Sequence, residues 1–226
     1  MATRWDTFVY WASRFYKDLD DFDANERTYK LKSAEKAANV RQLFESGSSD
    51  WLEHVKSPLG VNLCNRFAIM EFGRWVESES SSLAAGLRSL WNPLLFPSER
   101  IDGFLENIPS ALKRSALAEP ALVLHSAMGI EQYPSYRVGK INEAFQLTGY
   151  PSFADAEIKA DYGLRYAHVL GFFDRILSEA SLRRFQLRDR LDAQSVTWSV
   201  TYWPPLDGWT DDEKAAFLAY QKSAAT

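Results

Sequence analysis

Tyr166-Ala167-His168-Val169-Leu170-Gly171-Phe172-Phe173-Asp174-Arg175-Ile176-Leu177 carries the reading that decides the fold. Tyr166, Val169, Leu170, Phe173, Ile176 and Leu177 fall at the i, i+3, i+4, i+7 spacing that lays one apolar stripe along a helix. A half-buried strand would alternate with period two, and such alternation is nearly absent from the chain. Weaker stripes of helical period run through roughly 4–17, 33–46, 65–78, 83–91, 98–107, 115–128, 189–203 and 210–223. The expected fold is therefore all-α, a compact multi-helix domain over 1–226 with a core rich in its 8 tryptophans and 14 phenylalanines. A weak boundary is expected near 78–97, where the polar run from Glu77 to Ser82 is followed by Asn92 and Pro93.

The punctuation between the stripes agrees with helices. Ser33 stands before Ala34 and Glu35, Ser98 before Glu99, and Thr210 before Asp211, Asp212 and Glu213. In each a hydroxyl precedes acids that suit a helix N-terminus, which predicts three N-caps. Gly129, Gly149 and Gly208 are placed to end helices, and Pro134, Pro151, Pro204 and Pro205 cannot continue them.

Composition excludes several classes. With 46% hydrophobic and 25% charged residues, the chain can bury enough apolar surface to offset its conformational entropy. No apolar run approaches the roughly 18 residues of a membrane span, and the N-terminus lacks the pattern of a signal peptide, so the expected setting is the cytoplasm. The single Cys64 cannot form an internal disulfide, and His54, His125 and His168 have no metal-ligand spacing. The net charge of -4 provides no whole-chain basic field for nucleic acid, though it leaves room for a local basic groove. Phosphate-loop, dinucleotide and nucleophile-elbow motifs are absent. His125 beside Ser126 reads as a core pair, and Cys64 as a buried small hydrophobe.

Three connections concentrate polar chemistry. In the first, Asp18, Asp20, Asp21, Asp23 and Glu26 stand beside Arg27, Tyr29 and Lys30, where an acid near a cation could activate water; a solvated acidic loop is the plainer reading. In the second, Gly129 to Asn142 offers Arg137 and Lys140 to a phosphate and Tyr133 and Tyr136 to bases, or else uses the tyrosines as core lids. In the third, Arg183, Arg184, Arg188 and Arg190 make the most basic window, ahead of Trp198, Trp203 and Trp209. These arginines suit a phosphate-contacting edge, or ion pairs with Glu179, Asp189 and Asp192.

Three segments carry a resemblance: Tyr133-Pro134-Ser135-Tyr136-Arg137, then Ala144-Phe145-Gln146-Leu147-Thr148-Gly149-Tyr150-Pro151, and Leu187-Arg188-Asp189-Arg190-Leu191-Asp192-Ala193-Gln194-Ser195 with Trp198. With Asp23, Glu26, Arg27, Tyr29 and Lys30 they resemble the helical region at the front of McrB-like, modification-dependent restriction proteins. In those proteins a nucleotide-hydrolysing motor follows, and this chain is expected to stand without it. The resemblance implies DNA as partner, defence against modified phage DNA as setting, and a partner ATPase or nuclease. A second segment, Ala121 to Gly129, then a proline-bearing connection, then Val138 to Leu147 and Gly149, is similar in cadence to helix-hairpin-helix DNA glycosylases. The place of that family's catalytic aspartate is held here by Tyr136 and Arg137.

Together these lead to an expected DNA glycosylase that flips a modified base into an aromatic pocket, a reaction that requires no cofactor and no metal. Glu26 and Asp192 are the candidate acids, and Arg137, Lys140, Arg188 and Arg190 the candidate phosphate contacts. Tyr29, Asn65, Tyr136, Gln194 and Trp198 are the candidate base pocket. The second reading is a non-catalytic module that recognises modified DNA or tethers a restriction partner. A third is a helical protein-interaction domain, which the acidic balance would suit.

Overall fold

The structure is a computed structural model that describes residues 3–60 and 62–224. Among the described residues the backbone forms twelve α-helices and no strand: α1 (Arg4–Asp18), α2 (Phe22–Glu26), α3 (Thr28–Glu45), α4 (Trp51–His54), α5 (Arg66–Ser78), α6 (Ser80–Leu90), α7 (Pro97–Glu106), α8 (Arg114–His125), α9 (Val138–Thr148), α10 (Tyr162–Leu182), α11 (Arg190–Tyr202) and α12 (Asp211–Lys222). The protein is all-α. No helix among the described residues is long and apolar enough to cross a membrane.

The stripe on α10 is buried as its spacing requires. Tyr166, Val169, Leu170, Phe173 and Ile176 are all buried, Leu177 is half-buried, and Phe172 widens the stripe. Thr210 caps α12: its hydroxyl accepts from the Glu213 backbone N–H while the Glu213 carboxylate accepts from that of Thr210, so two orphan donors are satisfied together. Gly129 and Gly149 take positive φ angles of 118° and 72° directly after helical turns, a region that favours glycine.

The other two expected caps are corrected. Ser33 lies inside α3, which begins at Thr28, and its buried hydroxyl donates to the Pro58 carbonyl at 2.7 Å. Ser98 is also inside its helix. α7 starts at Pro97, whose missing N–H costs nothing at a first helical position, and the Glu99 carboxylate accepts from the Phe96 N–H. The last turn of the 129–142 connection is already α9, so Lys140 is a helical residue.

The chain divides into two compact units. One gathers Met1–Thr28, Val138–Glu157 and Val169–Thr226; the other gathers Tyr29–Arg137 and Ile158–His168. The polar run at 77–82 lies within the second unit, where α5 passes into α6.

The first unit is built on α1, α9, α11 and α12. Trp11 and Phe15 on α1 meet Trp209 and Phe217 at ring separations of 5.0–5.3 Å. Phe172 is in ring contact with both Trp5 and Phe145. The second unit centres on Trp75 of α5, fully buried against Phe104 of α7, and on Phe44, whose ring contacts Trp51 and Trp91. Each fully buried phenylalanine contributes about 1.5–3 kcal/mol of transfer free energy.

Indole N–H groups would cost free energy if buried unpaired, and those of Trp75, Trp91 and Trp209 are paired. Trp75 donates to Ser82 Oγ, Trp91 to the Leu124 carbonyl and Trp209 to Asp18 Oδ2. His125 sits in the second unit, buried beside Arg100, Tyr133 and Tyr166, and Ser126 donates to the Val123 carbonyl, so both are core residues.

Candidate functional site

The acidic connection before α3 and the arginine-rich connection before α11 meet in the first unit. Asp21 starts α2 from a left-handed conformation (φ 47°), its carboxylate accepting from the Ala24 N–H at 3.0 Å. This short helix carries Asp23 and Glu26 and ends at Arg27, whose own N–H returns to the Asp23 carbonyl. On the other side Asp189 caps α11 by accepting from the Asp192 N–H at 3.0 Å. Both connections are thus fixed by local hydrogen bonds before their side chains meet.

Two guanidiniums join them. Arg27 binds Asp189 through both carboxylate oxygens, at 2.9 and 2.7 Å, and reaches Asp192 Oδ1 at 2.8 Å. Arg188 holds Asp192 through Nε at 2.7 Å and Nη2 at 2.8 Å, adds its backbone N–H at 2.9 Å, and turns its outer edge to Asp23 at 2.8 and 2.5 Å. Bidentate charged bonds of this kind are roughly twice as strong as neutral ones.

Asp192 is completely buried and accepts four N–H donors. Hydrogen bonds from Arg188 hold the Asp23 carboxyl below its ordinary range, and Asp23 with Asp192 pushes the Arg188 guanidinium up. Burial would raise Asp189, but the Arg27 hydrogen bond and the Asp192 N–H leave it lowered.

Glu26 lies beside this network with 1% of its surface exposed. Its Oε1 accepts the Trp203 indole N–H at 2.6 Å, and its backbone carbonyl accepts from Ser195 Oγ at 3.1 Å. Glu26, Arg27, Arg188, Arg190 and Asp192 therefore belong to one unit, as do Lys140, Gln194 and Trp198. Arg190 is closed on both oxygens of Asp174 at 2.7 Å. Lys140 is bound by Glu143 and the Thr201 carbonyl. Trp198 stacks on the exposed Tyr202 at 4.4 Å, and Gln194 Oε1 is buried with no hydrogen-bond partner.

The remaining candidates, Tyr29, Asn65, Tyr136 and Arg137, lie in the second unit. Asn65 caps α5 and donates to Glu119, which also faces Arg137 at 3.9 Å. Tyr136 is buried, stacked on Tyr166, and burial pushes its hydroxyl up to about 12. Tyr29 is half-buried against Leu63, Cys64 and Val123. The five candidate pocket residues are thus divided between the units.

Two residues that sequence reasoning did not single out are Lys32 and Lys36, which line a cavity with Tyr29. Their i, i+4 spacing around Ser33 was the available signal. Among the described residues no group of three or more histidine, cysteine, aspartate or glutamate side chains could hold a metal ion. Comparison with protein-family models, with curated proteins and with solved structures finds no match to this chain.

Proposed function

We propose that this chain is a non-catalytic DNA recognition or tethering module of the modification-dependent restriction kind. The observation that carries this reading is the occupancy of Asp192. A carboxylate that stabilises an oxocarbenium-like sugar or activates water must present an oxygen to the reacting atoms. Both Asp192 oxygens are committed to Arg27 and Arg188, in a side chain with no exposed surface. The resemblance of Leu187 to Ser195 to restriction proteins then attaches to a segment that fastens α2 to α11. The guanidinium side chains of Arg188 and Arg190 keep 44% and 28% exposure beside Asp23 and Asp174, which are at least as open, so a phosphate at this rim would exchange with those carboxylates for its arginines.

Retention of duplex DNA by the purified chain across a salt series tests this. Phosphate contacts release counterions, so binding should fall linearly in log–log form as salt rises. Absence of retention even at the lowest salt would overturn the proposal and favour a protein-interaction domain.

A further inference from the structure

The second unit carries a cavity of about 410 Å³ between α3 and residues 57–60 and 62–63, a size within the roughly 300–1,000 Å³ of small-ligand sites. Tyr29, Lys32, Ser33 and Lys36 form one wall. Their i, i+3, i+4, i+7 spacing places all four on a single face of α3. Leu59, Asn62 and Leu63 line the facing loop.

Residues on that side are held at Ser57, Pro58 and Gly60. Ser33 donates to the Pro58 carbonyl at 2.7 Å, Ser57 N–H to the His54 carbonyl at 2.8 Å, and Cys64 N–H to the Gly60 carbonyl at 2.8 Å. Tyr29 and Leu59 pack against the buried cluster of Leu63, Cys64 and Val123. The described lining residues on both sides are thus tied to their surroundings by hydrogen bonds and packing.

Charge decides the class of ligand. Arg27, Arg183, Arg188, Arg190 and Lys140 are each closed on a carboxylate. Lys32 and Lys36 are exposed at the cavity, one helical turn apart, and neither takes part in an ion pair among the described residues. Two adjacent ammonium groups repel one another and favour a ligand of matching double charge. A phosphate monoester carries about −1.5 to −2 at neutral pH, whereas a carboxylate would neutralise only one lysine. Tyr29, Leu59 and Leu63 add an apolar face, and the Asn62 amide brings donors and an acceptor.

We infer that this cavity binds a phosphate monoester attached to a flat ring, the chemistry of a nucleoside monophosphate, either free or as the 5′-phosphorylated end of a nucleic-acid strand. Lys32 and Lys36 take the phosphate, while Tyr29 and the leucines take the ring. The inference is independent of the recognition reading, because its test uses no duplex.

Calorimetric titration of the full chain with adenosine 5′-monophosphate, adenosine and a short single strand with or without a 5′-phosphate tests it. Saturable binding tighter than about 1 mM is expected for at least one phosphorylated probe, weakened at least tenfold when the phosphate is absent. K32A/K36A should lose at least tenfold in affinity with an unchanged melting midpoint, and K32R/K36R should retain binding. Binding of the free monophosphate identifies a nucleotide site, and binding of the phosphorylated strand alone identifies a strand-end site. The inference is overturned if no phosphorylated probe saturates, if adenosine binds as tightly as its monophosphate, or if K32A/K36A binds like the parent chain.

Discussion

Arg188 closes on Asp192 with three of its own nitrogens, the backbone N at 2.9 Å, Nε at 2.7 Å and Nη2 at 2.8 Å. The carboxylate is thereby held by the residue four positions before it and also by Arg27, which approaches from α2. A group gripped in this way acts as a fastening between two distant stretches of chain.

Asp192→Ala should consequently destabilise the fold by about 1–3 kcal/mol, the cost of leaving buried donors of Arg27 and Arg188 unsatisfied, while the two guanidiniums keep Asp189 and Asp23. Urea unfolding checks this. A midpoint unchanged from the parent would show that the two arginines find other acids at no cost.

Trp203→Phe removes the indole donor from Glu26 and should cost about 1–3 kcal/mol, the range for leaving a buried acceptor without its donor. A thermal melt of the variant checks this, and a midpoint unchanged from the parent would contradict the assignment.

Much of this fold was legible in the sequence, for reasons that differ by element. The α10 stripe and the Thr210 cap are local signals, complete within a dozen residues, and both are realised. Ser33 and Ser98 carry the same local signal yet are not caps, because nothing adjacent shows that α3 starts five residues earlier at Thr28 or that α7 starts at Pro97. The acids and arginines of the candidate site were also visible as two clusters. Their pairing was not, since Asp23 and Arg188 are 165 positions apart and the choice among many carboxylates is made by packing. Lys32 and Lys36 are not legible as a site, because two lysines on a helix usually mark a solvated face, and only residues 57–60 and 62–63 turn that face into a cavity wall.

His125 gives the chain a pH dependence of defined sign. Burial, with Arg100 beside it, lowers its pKa to about 3 from the ordinary 6.5. The unfolded chain therefore binds a proton between those values that the folded chain does not, so stability is full above about 6.5 and falls as pH drops toward 3. Denaturant midpoints measured across this window should decline with acidity, and His125→Gln should flatten the decline. An equally steep slope in that variant would assign it to other groups.

Gly163 occupies a position with no room for a side chain. A Cβ there would lie 2.2 Å from Asp102 Oδ2 and 2.3 Å from the Ser98 carbonyl oxygen, and the latter is backbone. Gly163→Ala should therefore destabilise by about 1–3 kcal/mol through overpacking, despite the better helix propensity of alanine. A gain in melting temperature would refute the close approach.

A count of abasic sites most directly separates binding from base excision. Modified phage DNA incubated with the purified chain, then treated with alkali, should show no more strand breaks than DNA incubated alone, under salt conditions in which the chain retains that DNA. Alkali-labile sites produced by the parent chain and abolished by Glu26→Gln would contradict the account and establish base excision.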